Sequence, residues 1–588
     1  MSESEDTTKP NILFVNLLPY TYGHIEQVLK GSFLHRAALA MPMGSLYLSS
    51  YLKAHNDVGK IELLDFPRQF DKLTSYSSID EFAKEETMRY ADSKPDIIAI
   101  SLLFSASHPF FDLVLKISKE IWPKALTVVG GLHATNCPKY LLKYESIDYV
   151  VLGEGEIALS KMVKQYASNE QISVRGVYDK SNIKMSQPLL LADGAEDLDI
   201  LPLPDWELID MEAYAKGGFR NNVAGFVAKS ATIITTRGCP LKCTFCSAHT
   251  VHGRKVRYRS AEKVLEEIKL LNKRYGISIF TPADDFFTAN KQSTLKILRG
   301  MKHLDIPDIE MQFTNGVNIN SMDEEILDSM IDVGVRIITL ALESGSEYVQ
   351  KNIIKKNVNL RKAKELVLLC RRKGITTLCN VIFGFAGETK ELMEETADYI
   401  RTLGSDWYAI IIAAPLIGTE LYEQFLEKGY IKEDVYMWSS TNYFERTFDT
   451  NDISAVQLNE YTYRLNLDVN FINNINLRNG NYDRAITLFR NIVEAYPFHV
   501  FGLYCIHLAY KRKGNAKEAN DALVKIREVL KNDIRSKTMY EKYKDLLPEN
   551  LVEDKAASAR QPAVRIVGAT AKNKKIPTSN PSFKNLFT

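Results

Sequence analysis

The chain has 588 residues, 45% of them hydrophobic and 25% charged, with a formal net charge of +1. That length suits about three or four domains, and the composition is that of a globular protein. The near-zero balance argues against a nucleic-acid-binding field over the whole chain, and no apolar run reaches the ~18 residues of a membrane helix.

The start, MSESEDTTKP, is polar and acidic; it does not resemble a signal peptide. Residues 1–9 are expected to be disordered and the chain cytoplasmic. Residues 10–170 alternate apolar runs with helical stretches. The runs are NILFVNLL from Asn11, IELLDF from Ile61, DIIAIS from Asp96, LTVVGG from Leu126 and DYVVLG from Asp148. Near-continuous apolar strands separated by helices, such as those near Gly44–His55 and Pro109–Ile121, predict a parallel sheet covered on both faces, flavodoxin-like or Rossmann-like. Ligands of such sheets lie beyond the carboxyl ends of the strands. Here those ends carry Ser101, Gly130, Gly131, His133 and the GEGE run Gly153–Glu156. Glycines there either admit a large ligand or simply turn the chain.

MPMGSLYLSSYL (41–52), VVGGLHAT (128–135) and VVLGEGE (150–156) resemble the cobalamin-binding domain that precedes many radical S-adenosylmethionine (radical SAM) enzymes. The resemblance implies a corrinoid across the strand ends, against Gly44, Ser101, Gly130, Gly131, His133, Gly153, Glu154 and Gly155. The Asp-x-His-x-x-Gly signature that brings a histidine to cobalt in other cobalamin proteins is absent; Pro19–His24 stand after the first strand. Many cobalamin-linked radical SAM enzymes lack it too. Residues 171–230, with clustered Pro and Asp and little periodicity, read as a connector.

From 231 to 440 a second βα alternation follows. Its strand-like runs are ATIITT from Ala231, ISIFTPADD from Ile277, a short one near Ile309–Thr314, VRIITLALESG from Val335, TTLCNVIFG from Thr376 and WYAIIIAAP from Trp407. Six such units predict a partial (β/α)6 TIM-like barrel with its chemistry at the strand C-termini. Directly after the first strand stands TTRGCPLKCTFCSAHT, with Cys239, Cys243 and Cys246 spaced Cys-x3-Cys-x2-Cys. Three thiolates so spaced can hold a [4Fe–4S] cluster and leave one iron without a protein ligand. A zinc site completed by His249 is the rival reading. The other four of the seven cysteines, Cys137, Cys370, Cys379 and Cys505, are scattered and suit small core positions.

The cysteine spacing, with Phe245 before the last Cys, resembles the radical SAM enzymes, in which SAM binds the open iron and is cleaved to a deoxyadenosyl radical. Further along the rim, Asp284 and Asp285 in ADDFFTAN, Glu343 and Ser344 in ALESGS, Gly384, Gly387 and Glu388 in FGFAGE, and PLIGTELYE (415–423) match the same family in the same order. Ala386 stands where the family usually has Pro. The resemblance implies SAM contacts from Phe245, Asp284, Asp285, Glu343, Ser344, Gly384, Gly387 and Glu388.

Residues 441–555 read as helical. Gly480 and Gly514, like Ala485 and Ala519, are 34 residues apart, the tetratricopeptide (TPR) period. A TPR-like region is expected, either a partner-binding surface or a helical cap. Residues 556–588, rich in Ala, Lys, Ser and Pro, are expected to be disordered.

Together these readings give an α/β enzyme with a [4Fe–4S] cluster, SAM and cobalamin. The expected reaction is cobalamin-dependent methyl transfer to an unactivated carbon of a small-molecule or lipid substrate, with a flavodoxin or ferredoxin as electron donor. The alternatives are a cobalamin-independent oxidoreductase or cyclase with an empty corrinoid domain and, below it, a non-catalytic metal-binding scaffold. Nucleic acid is not an expected partner.

Overall fold

The computed structural model describes residues 9–30, 40–55, 58–183, 188–216, 229–434, 438–440 and 442–547. The disorder expected at both ends therefore concerns residues almost all outside the described ones. Two compact units are present. One holds the described residues up to Asn459 except Asp406–Tyr408; the other holds Asp406–Tyr408 and the residues from Glu460 onward.

The first unit begins with a sheet of β1 (Ile12–Asn16), β2 (Ile61–Asp65), β3 (Ile97–Ser101), β4 (Leu126–Gly130), β5 (Tyr149–Val151) and β6 (Val177–Tyr178), in the order β2-β1-β3-β4-β5-β6. The first five strands are parallel, and their order is that of flavodoxin-like folds. Alternation along β1 explains the two covered faces. Leu13 and Val15 join a core with Phe110, Phe111 and Val114, whereas Ile12 and Phe14 join one with Leu159, Met162 and Val163. The antiparallel β6 was missed in the sequence because it is two residues long and lies in the stretch read as connector. That stretch is tied to the sheet rather than loose: Asp205 accepts from Ser49 Oγ and Lys53 Nζ, each at 2.6 Å, and the Tyr214 hydroxyl donates to Asp65.

The barrel strands follow as β7 (Ser230–Ile233), β8 (Thr236–Arg237), β9 (Arg257–Tyr258), β10 (Ile279–Pro282), β11 (Glu310–Met311), β12 (Phe313–Val317), β13 (Ile337–Glu343), β14 (Thr376–Phe383) and β15 (Trp407–Ile412). They form two arcs, β11-β10-β7 and β12-β13-β14-β15, with parallel pairing along each run that has a register. The short strand expected near 309–314 is thus two pieces that join the arcs at Gln312, whose N–H still reaches the Phe280 carbonyl at 2.9 Å. The first core runs on into the barrel through Phe385, Ala413, Ile417, Tyr422 and Trp438, so sheet and barrel share one apolar interior. Burying each such large side chain contributes about 1.5–3 kcal/mol. Cys137, Cys370, Cys379 and Cys505 are buried, as expected for core residues.

In the second unit the Tyr482–Ala495, Val500–Lys513 and Ala516–Asn532 helices succeed one another. Gly480 and Gly514 both have positive φ, 77° and 87°, just before a helix, and Ala485 and Ala519 are both buried. Among the described residues no helix is long and apolar enough to cross a membrane.

Candidate functional site

The cysteine loop leaves the carboxyl end of β7 and is closed by the antiparallel pair β8–β9. Inside that closure Gly238 has φ 94°, and a Cβ there would stand 2.3 Å from the Lys255 carbonyl oxygen. Gly238→Ala therefore meets both backbone strain and a backbone clash. The expected result is loss of iron uptake on reconstitution, read by absorbance, while the rest of the chain keeps its circular dichroism. Cys239, Cys243 and Cys246 are free thiols of intermediate burial. Burial pushes all three thiols up, Cys243 to about 12. The loop is pinned from outside as well. Thr244 donates from its backbone N–H to Ile354 at 3.1 Å, and Leu421 donates to the Thr244 carbonyl at 2.8 Å.

The loop meets the next strand through two carboxylates. Asp284 accepts from Thr235 N–H at 2.6 Å, from the Thr235 hydroxyl and from Thr236 N–H at 3.1 Å, and Asp285 accepts from Gly238 N–H at 2.9 Å. Burial raises Asp284 to about 6. Both residues thus brace the start of the cysteine loop. Asp285 also faces the thiols, as do Glu343 and Lys356.

Glu343 ends β13 with φ 66°, a strained conformation for a side chain of its size. Its carboxylate pairs at 2.6 Å with Lys356, a residue the sequence reading passed over. Phe245 packs against Phe385 with ring centres 5.7 Å apart. Ser344 turns inward to the Thr396 hydroxyl at 2.8 Å. Glu388 folds back on its own turn, accepting from Gly384 N–H at 2.6 Å and Phe385 N–H at 3.1 Å. A Cβ at Gly384 would lie 2.7 Å from Arg446 Nη2, so that glycine serves packing, whereas the space beside Gly387 is open. Ser344, Gly384 and one oxygen of Glu388 are thus engaged by the protein itself, while Glu388 Oε1 has no partner.

The sheet edge divides in the same way. Ser101 and Gly130 stand side by side in register, half-buried, and nothing lies within 4 Å of a Cβ at Gly44. Leu103 and Phe104, just past β3, are exposed large apolar side chains. Gly131, at φ 108°, is needed because a Cβ would stand 2.8 Å from the Leu102 carbonyl oxygen. Gly153 and Gly155 pack against Leu191 and Leu48, the nearest approaches being 3.3 and 3.1 Å. His133 is 1% exposed and both ring nitrogens are engaged, Nδ1 with Ser105 and Nε2 with His108, each at 2.9 Å. Burial lowers His133 to about 3 and His108 to about 4, so both rings are neutral near pH 7. His133 is a core residue, not a free ligand.

Glu154 is the most heavily engaged of the residues expected at the corrinoid. It accepts from Arg237 Nη1 at 2.9 Å, Arg257 Nη1 at 3.1 Å and His252 Nδ1 at 2.9 Å. Glu156 takes the other side of Arg237 at 2.6 Å, and the Arg237 guanidinium lies 5.1 Å from the Tyr47 ring centre. Burial alone would raise the Glu154 carboxyl. Hydrogen bonds from His252 and Arg257 and the charge of Arg237 instead hold it well below the carboxylate range. The GEGE carboxylates thus clasp the root of the cysteine loop. Asn136 makes a second tie, donating to the Thr250 hydroxyl at 2.9 Å. Arg237 directly precedes the glycine and first cysteine of the motif, and a cation there opposite two acidic residues was the available signal.

These residues fit the groups the sequence implies. Three free thiols on one braced loop suit a cluster. His249 Nδ1 is engaged by the Cys246 carbonyl at 3.1 Å. Exposed Leu103 and Phe104, and the open space at Gly44, suit a flat apolar macrocycle edge.

A B12-binding domain model matches residues 33–163 and a radical SAM superfamily model matches residues 233–400. The former is the domain of cobalamin, the latter that of a [4Fe–4S] cluster with SAM. The cytidylyl-2-hydroxyethylphosphonate methyltransferase of Streptomyces wedmorensis is 30% identical over 374 residues, 59% of this chain and 70% of that protein. The anaerobic magnesium-protoporphyrin IX monomethyl ester cyclase of Cereibacter sphaeroides is 29% identical over 339 residues, 55% of this chain and 52% of the cyclase. The fold is similar to that of OxsB, a cobalamin-dependent SAM radical enzyme solved with aqua-cobalamin and SAM bound. The TM-score is 0.59 at 18% identity, covering 92% of this chain and 75% of that one. Motifs, geometry and relatives agree, and the chain belongs to the radical SAM enzymes that carry a B12-binding domain.

Proposed function

We propose that the chain is a cobalamin-dependent radical SAM methyltransferase that methylates an unactivated carbon of a small-molecule or lipid substrate. The observation that carries the reading is the clasp of Glu154 and Glu156 on Arg237, which ties the carboxyl edge of the first sheet to the cysteine loop. Transfer between two cofactors needs both held at a fixed separation, and buried ion pairs on a shared core hold them so.

Cys239, Cys243 and Cys246 would ligate the cluster, and Asp284 and Asp285 hold their loop. Glu343, with Lys356, and the open turn at Gly387 would meet SAM. Gly44, Ser101, Gly130, Leu103 and Phe104 would lie against the corrinoid. When bound, the cluster and SAM supply a deoxyadenosyl radical and the corrinoid supplies the methyl group. The protein orients these groups and excludes water. A flavodoxin or ferredoxin would supply electrons. The equivalent settings of Gly480 and Gly514 support the TPR-like reading of the helical unit, as a partner surface or a cap.

The cyclase relative favours a second reading, radical oxidation or ring formation without methyl transfer. Product analysis separates the two. With SAM, reductant and substrate extracts, methyl transfer yields S-adenosylhomocysteine together with deoxyadenosine; deoxyadenosine alone supports the second reading. Formation of neither contradicts both.

A further inference from the structure

After β15 the chain leaves the barrel through Ala413–Pro415 and returns at Tyr443, whose carbonyl accepts from Ile412 N–H at 2.6 Å. A cleft partly open to solvent lies here, its lining including Ile412, Tyr422, Trp438, Phe448, Glu445 and Arg446. Four of these are apolar or aromatic, and Glu445 is a carboxylate. The sixth is a guanidinium only 3% exposed.

Arg446 sits with its guanidinium carbon 5.4 Å from the ring centres of both Phe425 and Phe448, and its Nη2 donates to the Gly384 carbonyl. Its Nε and Nη1 are buried and meet no acceptor. No ion pair joins it to a carboxylate among the described residues. The charges of Glu388 and Asp452 reach it, but neither pairs with it; one oxygen of Glu388 is held by its own turn, and burial raises that carboxyl to about 7. Burial lowers Arg446 itself to about 10, so it stays a cation at neutral pH. A buried cation with two unmet donors is costly unless something else supplies the acceptors. Guanidinium forks match carboxylate and phosphoryl oxygens two at a time. Tyr443, next to the lining residue Asn442, lies within electrostatic reach of Cys246.

We propose that Arg446 receives an oxyanion, a carboxylate or phosphoryl group, of a ligand whose apolar part lies along Ile412, Tyr422, Trp438 and Phe448. Two sources share that chemistry: the carboxylate of SAM and an acidic group of the substrate. Only the choice between them rests on the radical SAM reading.

The test is calorimetric titration of the cluster-loaded protein with hexanoate, inorganic phosphate and SAM, for the natural chain, Arg446→Lys and Arg446→Met. Hexanoate or phosphate should bind, weaken by about tenfold or more in Arg446→Met, and recover in part in Arg446→Lys. If SAM displaces the bound anion and itself weakens in Arg446→Met, the oxyanion is SAM's. If SAM binds unchanged and leaves the anion in place, the oxyanion is the substrate's. The site is overturned if all three ligands bind the natural chain and Arg446→Met alike, or if neither anion binds and SAM is insensitive to the change. Such a result with an intact cluster absorbance leaves the radical reading standing. Should Arg446→Met fail to fold, crystals of the natural chain soaked in bromide provide the second readout. An anomalous peak is expected beside Nε and Nη1, and water alone there contradicts the site.

Discussion

Glu154→Gln is expected to lower stability by about 3–5 kcal/mol, the usual consequence of leaving buried charges without their partner. The side chain is 4% exposed and faces Arg237, Arg257 and His252. Neutralising it leaves the Arg257 cation with no carboxylate, only neutral acceptors such as the Ala195 and His252 carbonyls at 2.7 and 3.2 Å. Because Arg237 stands two residues before Cys239, iron content should fall as well. Corrinoid affinity of the folded fraction, measured by visible titration, should hold. Retained stability and iron with lost corrinoid binding would make Glu154 a corrinoid contact instead. Linkage sets the pH dependence. The folded carboxyl is held below its ordinary value of 4.5, so the unfolded chain binds the proton more readily. The stabilisation is complete above about that value and fades as pH falls below it, and the gap between variant and natural chain should narrow in acid.

Lys356→Met should be comparably damaging. Lys356 and Glu343 are both 7% exposed and 2.6 Å apart. Removing the cation leaves Glu343 buried, strained and unpaired beside the thiols, at about 3–5 kcal/mol. Adding Glu343→Gln to Lys356→Met should recover much of that loss, because the second change removes the uncompensated charge. A thermodynamic cycle built from the four proteins measures this, with a coupling of about 1–3 kcal/mol expected. Strict additivity would mean that the two side chains do not depend on each other.

The strands were legible because alternating and continuous apolar runs are local properties. NILFVNLL and DIIAIS became β1 and β3 within a residue or two of their apolar limits. The order β2-β1-β3-β4-β5 was narrowed to two families but not chosen, since strand neighbours depend on which helix covers which face. The break at Gln312 was hidden for a related reason: one extended run serves two arcs, and only the barrel's curvature decides where it divides. The cysteine motif was read correctly as a loop on the rim. The partners of several motif carboxylates were not legible, because a motif fixes the residue type and leaves its partner open. Glu154, Asp284 and Glu388 are all buried and all hold protein groups, and the cations and amides they hold lie as much as 103 residues away in the chain. Lys356 and Arg446 carried no local signal. Each matters through a partner, or the lack of one, that only the folded chain brings into view.

The measurement that tests the account most directly is the cofactor content of protein purified anaerobically from cells supplied with cobalamin, beside a chain carrying Cys239→Ala, Cys243→Ala and Cys246→Ala. The account predicts about four irons and one corrinoid per chain, with iron alone lost in the variant. Failure to take up iron and sulfide after reconstitution of the natural chain would contradict it.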